Sequence, residues 1–211
     1  GVNLKKIQGQ SFYFVGIGGV GMSSVAGLLK EAGATTVTGS DQNIYPPTSD
    51  LLDSLKISAL SPYCAKNITN HKDHTFIIGN SHSKNHVEVL EIVRNNLKYT
   101  SYPKLLSDTF LGETKNIVIS GTHGKTSTSS LVAHILKELD EDPSYLIGGS
   151  AYNLKKGSHL GKGCTFVLEG DEYDTAFFDK GSKFLHYKPS FVVFNNIEND
   201  HVDIFPTLSA I

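Results

Sequence analysis

The stretch Ile117-Val-Ile-Ser-Gly-Thr-His-Gly-Lys-Thr-Ser127 decides how the second half of this chain folds. Its first four residues are apolar or small and predict a short buried strand. A turn bracketed by Gly121 and Gly124 follows, and an apolar helical pattern begins after it. A strand, a glycine turn ending in Lys-Thr and a helix are typical of a polyphosphate-binding loop, because backbone N–H groups and the helix N-terminus carry partial positive charge.

The turn predicts a site for a nucleoside triphosphate. We expect Lys125 to reach the terminal phosphates and the Thr126 hydroxyl to ligate Mg²⁺. Ile119 stands where the longer form of this loop has its first glycine, so we interpret the loop as a shorter variant that begins at Gly121. The alternative is an ordinary turn that happens to hold a lysine. The residues expected at the nucleotide are Gly121, Thr122, His123, Gly124, Lys125, Thr126 and Ser127.

A second glycine loop lies near the N-terminus. Gly16, Gly18 and Gly21 form a G-x-G-x-x-G motif between a predicted strand at Ser11–Val15 and a helical pattern. Asp41 ends the next β-rich stretch, 20 residues after the last glycine of the motif. This is a βαβ unit of the Rossmann type, in which the glycines let backbone amides approach a diphosphate and the acid accepts from a ribose hydroxyl. The alternative is a tight turn needed for packing alone.

The composition limits the class of protein. The chain has 211 residues, 39% of them hydrophobic, and a net charge of −2, which gives no reason to expect nucleic acid or an anionic membrane as partner. No apolar run approaches the ~20 residues that span a bilayer, and the first seven residues are too polar for a signal peptide. Cys64 and Cys164 lack metal-type spacing. Free thiols in a cytoplasmic protein are the simplest interpretation.

The remaining pattern predicts an α/β fold with two domains, residues 1–112 and 113–211, separated at the polar stretch Glu113–Asn116. Gly33 is predicted to end the helix that follows the first glycine loop, and Thr48 is predicted to cap the next one. The Lys- and Gly-rich segment Asn153–Gly163 is predicted to be a mobile loop. A sheet begun at Ile117 would be incomplete at Ile211, so we expect the chain to be part of a longer protein. The other predicted strands are Thr35–Gly39, Thr75–Gly79, Ser144–Ile147, Cys164–Leu168 and Ser190–Phe194.

Three predicted strands, which start near residues 117, 164 and 190, each end in a polar cluster. Because the carboxyl ends of parallel strands meet at one edge of a sheet, Thr126, Glu169 and His201 can converge there. A hydroxyl and a carboxylate suit Mg²⁺, whereas a histidine is less usual and suits a second metal or a phosphate contact. Asp171 and Glu172 are weaker candidates, and for all these acids the alternative is a solvated turn.

Four motifs together resemble the Mur ligases of bacterial cell-wall synthesis. They are Gly16-Ile-Gly-Gly-Val-Gly-Met22, Gly121-Thr-His-Gly-Lys-Thr126, Glu169-Gly-Asp-Glu172 and Asn196-Ile-Glu-Asn-Asp-His201. The resemblance covers nearly the whole chain. Four further stretches are more similar to the members that attach a murein peptide than to those that attach L-alanine: 41–47, 172–180, 182–189 and 200–206. Gly170 departs from the alanine that is usual in the family.

The resemblance implies a Rossmann-like domain for a UDP-sugar, a P-loop-type central domain for ATP and Mg²⁺, and a C-terminal domain for the incoming amine. This chain would hold the first, a truncated second and none of the third. The implied reaction joins UDP-N-acetylmuramate to the murein tripeptide L-Ala-γ-D-Glu-meso-diaminopimelate through an acyl phosphate, with L-alanine as the alternative acceptor. A carbamylated lysine of several members would lie beyond Ile211.

The resemblance also assigns residues. The implied catalytic residues are Lys125, Glu169 and His201, and the implied metal ligands are Thr126, Glu169 and His201. The implied UDP-sugar contacts are Gly16, Gly18, Gly19, Gly21, Met22, Asp41, Ser81, His82 and Asn153. Residues 80–83 are equally well interpreted as a solvated polar loop. Two other classes stay open, an NAD-dependent oxidoreductase that uses the first glycine loop and a non-catalytic nucleotide-binding module.

Overall fold

The computed structural model describes residues 1–121, 123–148, 157–170, 174–176, 179–182 and 186–196. The chain divides into two compact units, one built mainly from Leu4–Leu105 and the other mainly from the residues from Leu106 onward. Each unit contains a five-stranded sheet with helices between its strands, so the predicted α/β class is confirmed. The domain boundary at residues 113–116 stays a prediction.

The first half of the chain alternates strands and helices. In order these are β1 (Ser11–Val15), α1 (Val20–Glu31), β2 (Thr36–Ser40), α2 (Thr48–Ser54), β3 (Ala59–Leu60), α3 (Ala65–Thr69), β4 (Thr75–Ile78), α4 (Val87–Arg94), β5 (Tyr99–Thr100) and α5 (Tyr102–Thr109). All neighbouring strands are parallel, in the order β3-β2-β1-β4-β5. The order changes direction between β1 and β4, so the loop that follows β1 lies at the switch point where open α/β sheets bind ligands.

The central strand β1 is buried along nearly its whole length. Its last four residues, Phe12 to Val15, are at most 1% exposed. A central strand of a parallel sheet is covered on both faces, which explains an unbroken apolar run instead of alternation. On one face Tyr13 and Val15 pack with Phe76 and Ile78 of β4. This packing fixes the carboxyl end of β1, from which the first glycine loop departs.

Two helix ends can be compared with their predictions from the sequence. Gly33 has a φ of 90° and follows α1, while the Ala34 N–H donates to Leu29 O, which is the Schellman motif that a glycine at this position predicts. The prediction that Thr48 caps α2 was wrong. Thr48 is the first residue of α2, and its hydroxyl donates to Gly18 O at 3.3 Å, so its side chain contacts the glycine loop instead of a helix amide.

The second half builds the other sheet. Its elements are β6 (Lys115–Ser120), α6 (Lys125–Glu138), β7 (Ser144–Leu146), β8 (Ser158–His159), β9 (Thr165–Glu169), β10 (Asp174–Ala176), β11 (Asp179–Ser182) and β12 (Phe191–Phe194). The strand order is β12-β6-β9-β7-β8, in which β8 is antiparallel to β7 and the other pairs are parallel. Strands β10 and β11 form a separate pair. The three strands predicted to end in polar clusters, β6, β9 and β12, are neighbours.

The prediction of a mobile loop at Asn153–Gly163 was wrong for its last part. Ser158 and His159 pair with Leu146 and Tyr145 in an antiparallel ladder. The Gly161 N–H then donates to Ser144 Oγ at 2.9 Å. A side chain at position 161 would collide with the backbone carbonyls of residues 142 and 143, so this glycine serves close packing and not mobility. Residues 149–156 lie outside the described residues.

The described part of the chain contains no helix that is long and apolar enough to cross a bilayer. Both cysteines are free thiols, Cys64 half-buried and Cys164 exposed.

Asn116 connects β6 to the segment that precedes β12. Its side chain is buried, its Nδ2 donates to Leu111 O, Tyr187 O and Lys188 O at 3.1, 3.1 and 3.2 Å, and its Oδ1 accepts from Thr114 Oγ1 at 2.6 Å. A residue that the sequence placed in a polar linker therefore organises the start of the strand that carries the second glycine loop.

We predict that Asn116→Ala lowers the free energy of unfolding by about 1–3 kcal/mol, because buried carbonyl groups lose their donor. Urea unfolding measures the change. Asn70→Ala is the control, since Asn70 is exposed at the end of α3, and it is expected to change stability by less than about 0.5 kcal/mol. An equal loss of unfolding free energy in the two variants would contradict the structural role given to Asn116.

Candidate functional site

The second glycine loop joins β6 to α6. Gly121 has a φ of 130° and Gly124 a φ of 75°, a region that glycine adopts without strain. A Cβ on Gly121 would lie 2.8 Å from Asn196 O, so the backbone after β12 also requires a glycine here. The loop departs from the carboxyl end of β6, the second strand from the edge of the sheet, beside the carboxyl ends of β9 and β12.

Helix α6 begins at Lys125 without a side-chain cap. Its N-cap is Gly124, and its first turn holds no acidic residue. The first N–H groups of an α-helix have no acceptor within the helix. A phosphate placed before this helix would meet those N–H groups and the positive end of the helix dipole. The arrangement fits the triphosphate site predicted from the sequence, apart from Thr122, which lies outside the described residues.

Two asparagines that the sequence analysis gave no role hold this loop. Asn195 Oδ1 accepts from Thr128 Oγ1 at 3.0 Å, and Asn195 Nδ2 donates to His123 O at 3.3 Å. Asn196 Oδ1 accepts from the His123 N–H at 2.9 Å. Both residues directly follow β12, which is paired with β6. Their position at the end of a predicted strand was visible in the sequence, whereas the pairing of that strand with β6 was not.

Thr126 and Glu169 lie beside the same backbone segment. The Thr126 hydroxyl donates to Gly148 O at 3.2 Å, and a Cβ on Gly148 would lie 3.0 Å from Glu169 Oε2. The two oxygen-bearing side chains that we expected at a Mg²⁺ ion therefore come together from α6 and β9. A hydroxyl and a carboxylate are oxygen donors of the kind that Mg²⁺ prefers, so this pair fits the ion.

Ser129 is a further residue at this position that sequence reasoning missed. It is fully buried, and its hydroxyl lies 2.7 Å from Lys125 O and 3.2 Å from Glu169 Oε1. Its single hydroxyl hydrogen is shared among Lys125 O, Thr126 O at 3.2 Å and Glu169, so Ser129 contacts the Glu169 carboxylate from one helical turn after Lys125. His201, Asp171 and Glu172 lie outside the described residues. Within the described ranges, no group of three or more His, Cys, Asp or Glu side chains could hold a metal ion.

The first glycine loop joins β1 to α1 and is bonded to the end of β2. Gly16 has a φ of 85°, and the N–H groups of Gly16 and Ile17 donate to Ser40 O at 2.9 and 3.0 Å. Helix α1 has Gly19 as its N-cap and no side-chain cap. The amides of its first turn are therefore available for a diphosphate, as the motif predicts.

The other residues predicted in this loop have different surroundings. A Cβ on Gly21 would lie 2.9 Å from the Tyr102 hydroxyl, so this glycine permits close packing. Met22 is 5% exposed, which leaves only its backbone positioned to meet a ligand. Ser81 is exposed, and Asn153 lies outside the described residues.

Asp41 is bonded to the loop itself. Its Oδ2 accepts from the Gly18 N–H at 2.7 Å, and its Oδ1 accepts from the Gln42 N–H at 2.8 Å and from the Tyr63 hydroxyl at 3.2 Å. Burial and the neighbouring Asp41 carboxylate raise the pKa of the Tyr63 phenol. Asp41 therefore supports the loop in addition to any contact with a ribose, which stays a prediction.

The His82 ring covers Gly16, where any side chain would overlap it. It packs against the rings of Tyr63 and His86, with centroid distances of 5.7 and 4.8 Å. Burial and the neighbouring His86 lower the pKa of His82, with Asp41 acting in the opposite direction. Burial likewise lowers the pKa of His86. The predicted ligand contact His82 is thus an uncharged ring at neutral pH, held directly over the glycine loop.

A cavity of about 840 Å³ lies beside the loop that follows β2. Asn43, Ile44 and Tyr45 line it from that loop, and Leu52 and Ile57 line it from the region of α2 and β3. No sequence motif indicated this cavity, because its walls come from segments that are polar and irregular in sequence.

Two family models match successive parts of the chain. Residues 11–113 match the model described as Mur ligase family, catalytic domain, and residues 119–211 match the Mur ligase middle domain. A UDP-N-acetylmuramate--L-alanyl-gamma-D-glutamyl-meso-2,6-diaminoheptandioate ligase of Escherichia coli strain K12 is 41% identical over 94% of this chain and 43% of the relative. A UDP-N-acetylmuramate--L-alanine ligase of Leuconostoc citreum strain KM20 is 34% identical over 96% of this chain and 42% of the relative.

The fold has a close counterpart among solved structures. The crystal structure of UDP-N-acetylmuramate:L-alanyl-gamma-D-glutamyl-meso-diaminopimelate ligase from Neisseria meningitides superposes with a TM-score of 0.89 at 38% identity, over 95% of this chain and 64% of that chain. This chain spans less than half the length of the two curated relatives. Both glycine loops fall inside the matched regions, and the resemblance seen in the four motifs is confirmed. The chain belongs to the Mur ligase family.

Proposed function

We propose that the protein to which this chain belongs is an ATP-dependent ligase that joins UDP-N-acetylmuramate to L-Ala-γ-D-Glu-meso-diaminopimelate. The observation that carries the proposal is the presence of two separate glycine loops, each followed by a helix without a side-chain cap. Two phosphate-binding loops suit a reaction that uses two nucleotides, one as the sugar carrier and one as the phosphoryl donor. A nicotinamide oxidoreductase would use only the first of them.

The choice of the tripeptide as acceptor rests on similarity. The relative whose name includes the tripeptide is 41% identical to this chain, and the relative named for L-alanine is 34% identical over nearly the same region. L-Alanine is therefore the second candidate. The reaction consumes ATP and a UDP-sugar, so we place it in the cytoplasm. Because the proposed acceptor is a ready-made murein tripeptide, we assign the reaction to peptidoglycan recycling.

In the proposed reaction the lactyl carboxylate attacks the γ-phosphate of ATP, which gives an acyl phosphate and releases ADP. The amine of the peptide then attacks the acyl carbon, and inorganic phosphate leaves as the amide forms. Lys125 and the amides from Gly124 to Ser127 stabilise charge on the transferring phosphoryl group. Thr126 and Glu169 would hold Mg²⁺, which would neutralise charge on the phosphate oxygens. His201 would hold a second metal or orient the carboxylate.

The first unit binds the UDP-sugar in this proposal. The amides of Val20 to Met22 receive the diphosphate. Asp41 is bonded to this loop and stands two residues before Asn43, which lines the cavity. That cavity is large enough for a nucleoside, whose ribose would then approach Asp41. Ser81, His82 and Asn153 complete the contacts with the sugar nucleotide.

We predict that the full-length protein makes UDP-N-acetylmuramoyl-tripeptide when it is given UDP-N-acetylmuramate, ATP, Mg²⁺ and equal amounts of L-alanine and the tripeptide. Mass spectrometry of the products identifies the acceptor that was used. UDP-N-acetylmuramoyl-alanine as the main product would establish the second candidate instead. Absence of both products, together with thermal stabilisation by NAD, would support the oxidoreductase and contradict the proposal.

We predict that Ser129→Ala raises the Mg²⁺ concentration needed for half-maximal ligation by roughly tenfold, because Glu169 loses the hydroxyl that orients it. Ser130→Ala is the matched control. Ser130 is also buried and bonds Thr126 O at 2.6 Å, and no bond from it to Glu169 is recorded in the described part of the chain. Ligation rates measured across a Mg²⁺ titration give the half-maximal Mg²⁺ concentration, which should change less than about twofold for this control. An equal rise in the required Mg²⁺ concentration in both variants would show that the contact between Ser129 and Glu169 has no specific effect on Mg²⁺ binding.

A further inference from the structure

A fully buried carboxylate, Glu88, lies in the first turn of α4. Its Oε1 accepts from the Tyr13 hydroxyl at 2.7 Å and from Ser40 Oγ at 2.6 Å. Its Oε2 accepts from the Cys64 N–H and from Asn67 Nδ2, both at 3.2 Å. Burying a carboxylate costs free energy unless its oxygens are hydrogen-bonded, and here four donors from β1, β2, α3 and the residue that precedes α3 satisfy it.

One of these donors also carries the first glycine loop. Ser40 is the last residue of β2 and is fully buried, and its carbonyl oxygen accepts from the N–H groups of Gly16 and Ile17. The next residue, Asp41, accepts from the Gly18 N–H. Ser40 is therefore bonded to Glu88 through its side chain and to the glycine loop through its backbone. Its 2.6 Å bond to Glu88 is short, as charge-assisted hydrogen bonds are.

A second connection leads from Glu88 to the same loop. The Glu88 N–H donates to His86 Nδ1 at 3.1 Å, which orients the His86 ring at the start of α4. The His86 ring packs on His82, and His82 covers Gly16. Both connections end at Gly16, the first residue of the loop.

We propose that Glu88 is a positioning residue for the UDP-sugar site, because it fixes the first glycine loop through Ser40. The inference rests on the proposed function, in which this loop receives the diphosphate of the UDP-sugar. The competing interpretation is that Glu88 only stabilises the core of the first unit. Tyr13 distinguishes the two, because its hydroxyl bonds the same oxygen of Glu88 and its side chain has no recorded bond to the glycine loop within the described residues. Burial raises the pKa of the Tyr13 phenol, the contact with the Ser40 hydroxyl lowers it and the bond to Glu88 raises it, so the phenol remains a donor. Tyr13→Phe thus removes a contact with Ser40 but leaves the bond from Ser40 to Glu88 in place.

The test compares Ser40→Ala with Tyr13→Phe in the full-length enzyme. Each substitution removes one hydroxyl donor to Glu88 Oε1, so we expect both to lower the melting temperature by a few degrees, roughly what loss of one buried hydrogen bond costs. Only Ser40→Ala removes the side-chain bond that fixes the residue bonded to the loop, while the Ser40 carbonyl that accepts from Gly16 and Ile17 is retained. We expect it to raise the KM for UDP-N-acetylmuramate about tenfold, with kcat and the KM for ATP within about twofold of wild type. Tyr13→Phe should leave all three kinetic constants within about twofold.

The two variants also define the outcomes that overturn the inference. An unchanged KM for UDP-N-acetylmuramate in Ser40→Ala would show that Glu88 only stabilises the core of the first unit. An equal increase of this KM in Tyr13→Phe would show the same. A wild-type enzyme that is not saturated by UDP-N-acetylmuramate at all would overturn the proposed function, and this inference with it. Calorimetric titration of the same variants with UDP-N-acetylmuramate alone gives the dissociation constant independently of turnover. A rise in the dissociation constant that is confined to Ser40→Ala would support the inference.

Discussion

The N–H groups at the start of an α-helix have no acceptor within the helix, and this constraint explains both candidate sites. A side-chain cap can satisfy them, as His86 does at the start of α4, although α2 and α3 also begin without one. Helices α1 and α6 instead begin after Gly19 and Gly124, which have no side chain to offer. Each of these helices follows a strand inside a parallel sheet, so its N-terminus lies at the carboxyl edge of that sheet. An anion is the partner that such an arrangement accommodates best.

The two glycine loops are held in the same way. In the first unit β1 carries the loop and its neighbour β2 ends in Ser40 and Asp41, which bond the loop amides. In the second unit β6 carries the loop and its neighbour β12 is followed by Asn195 and Asn196, whose side chains bond His123 and Thr128. In both cases a parallel neighbouring strand delivers polar groups to the loop, because the carboxyl ends of parallel strands are adjacent.

The sequence predicted the elements better than their arrangement. Strands, helices and both glycine loops follow from local apolar patterns and from glycine positions, and Gly33 was identified from the end of a helical pattern. The strand order is a long-range property, so the roles of Asn195, Ser129 and Glu88 could not be derived from spacing. His74 shows the same limit, since it follows the polar residues Lys72 and Asp73 in the sequence and is nevertheless buried. The prediction for Thr48 was wrong for a related reason, because its hydroxyl bonds Gly18 O, which is distant in sequence, instead of a local helix amide.

The two acids beside the phosphate loops differ in how their charge is satisfied. Asp41 accepts from the Gly18 N–H, the Gln42 N–H and the Tyr63 hydroxyl, so the protein itself balances much of its charge. For Glu169, Ser129 Oγ is the donor recorded among the described residues, at 3.2 Å. A carboxylate beside a polyphosphate repels it unless a cation lies between them. In the proposed reaction Glu169 is therefore the acid that would need Mg²⁺ beside the triphosphate, whereas Asp41 could stand beside the diphosphate of the UDP-sugar without a cation.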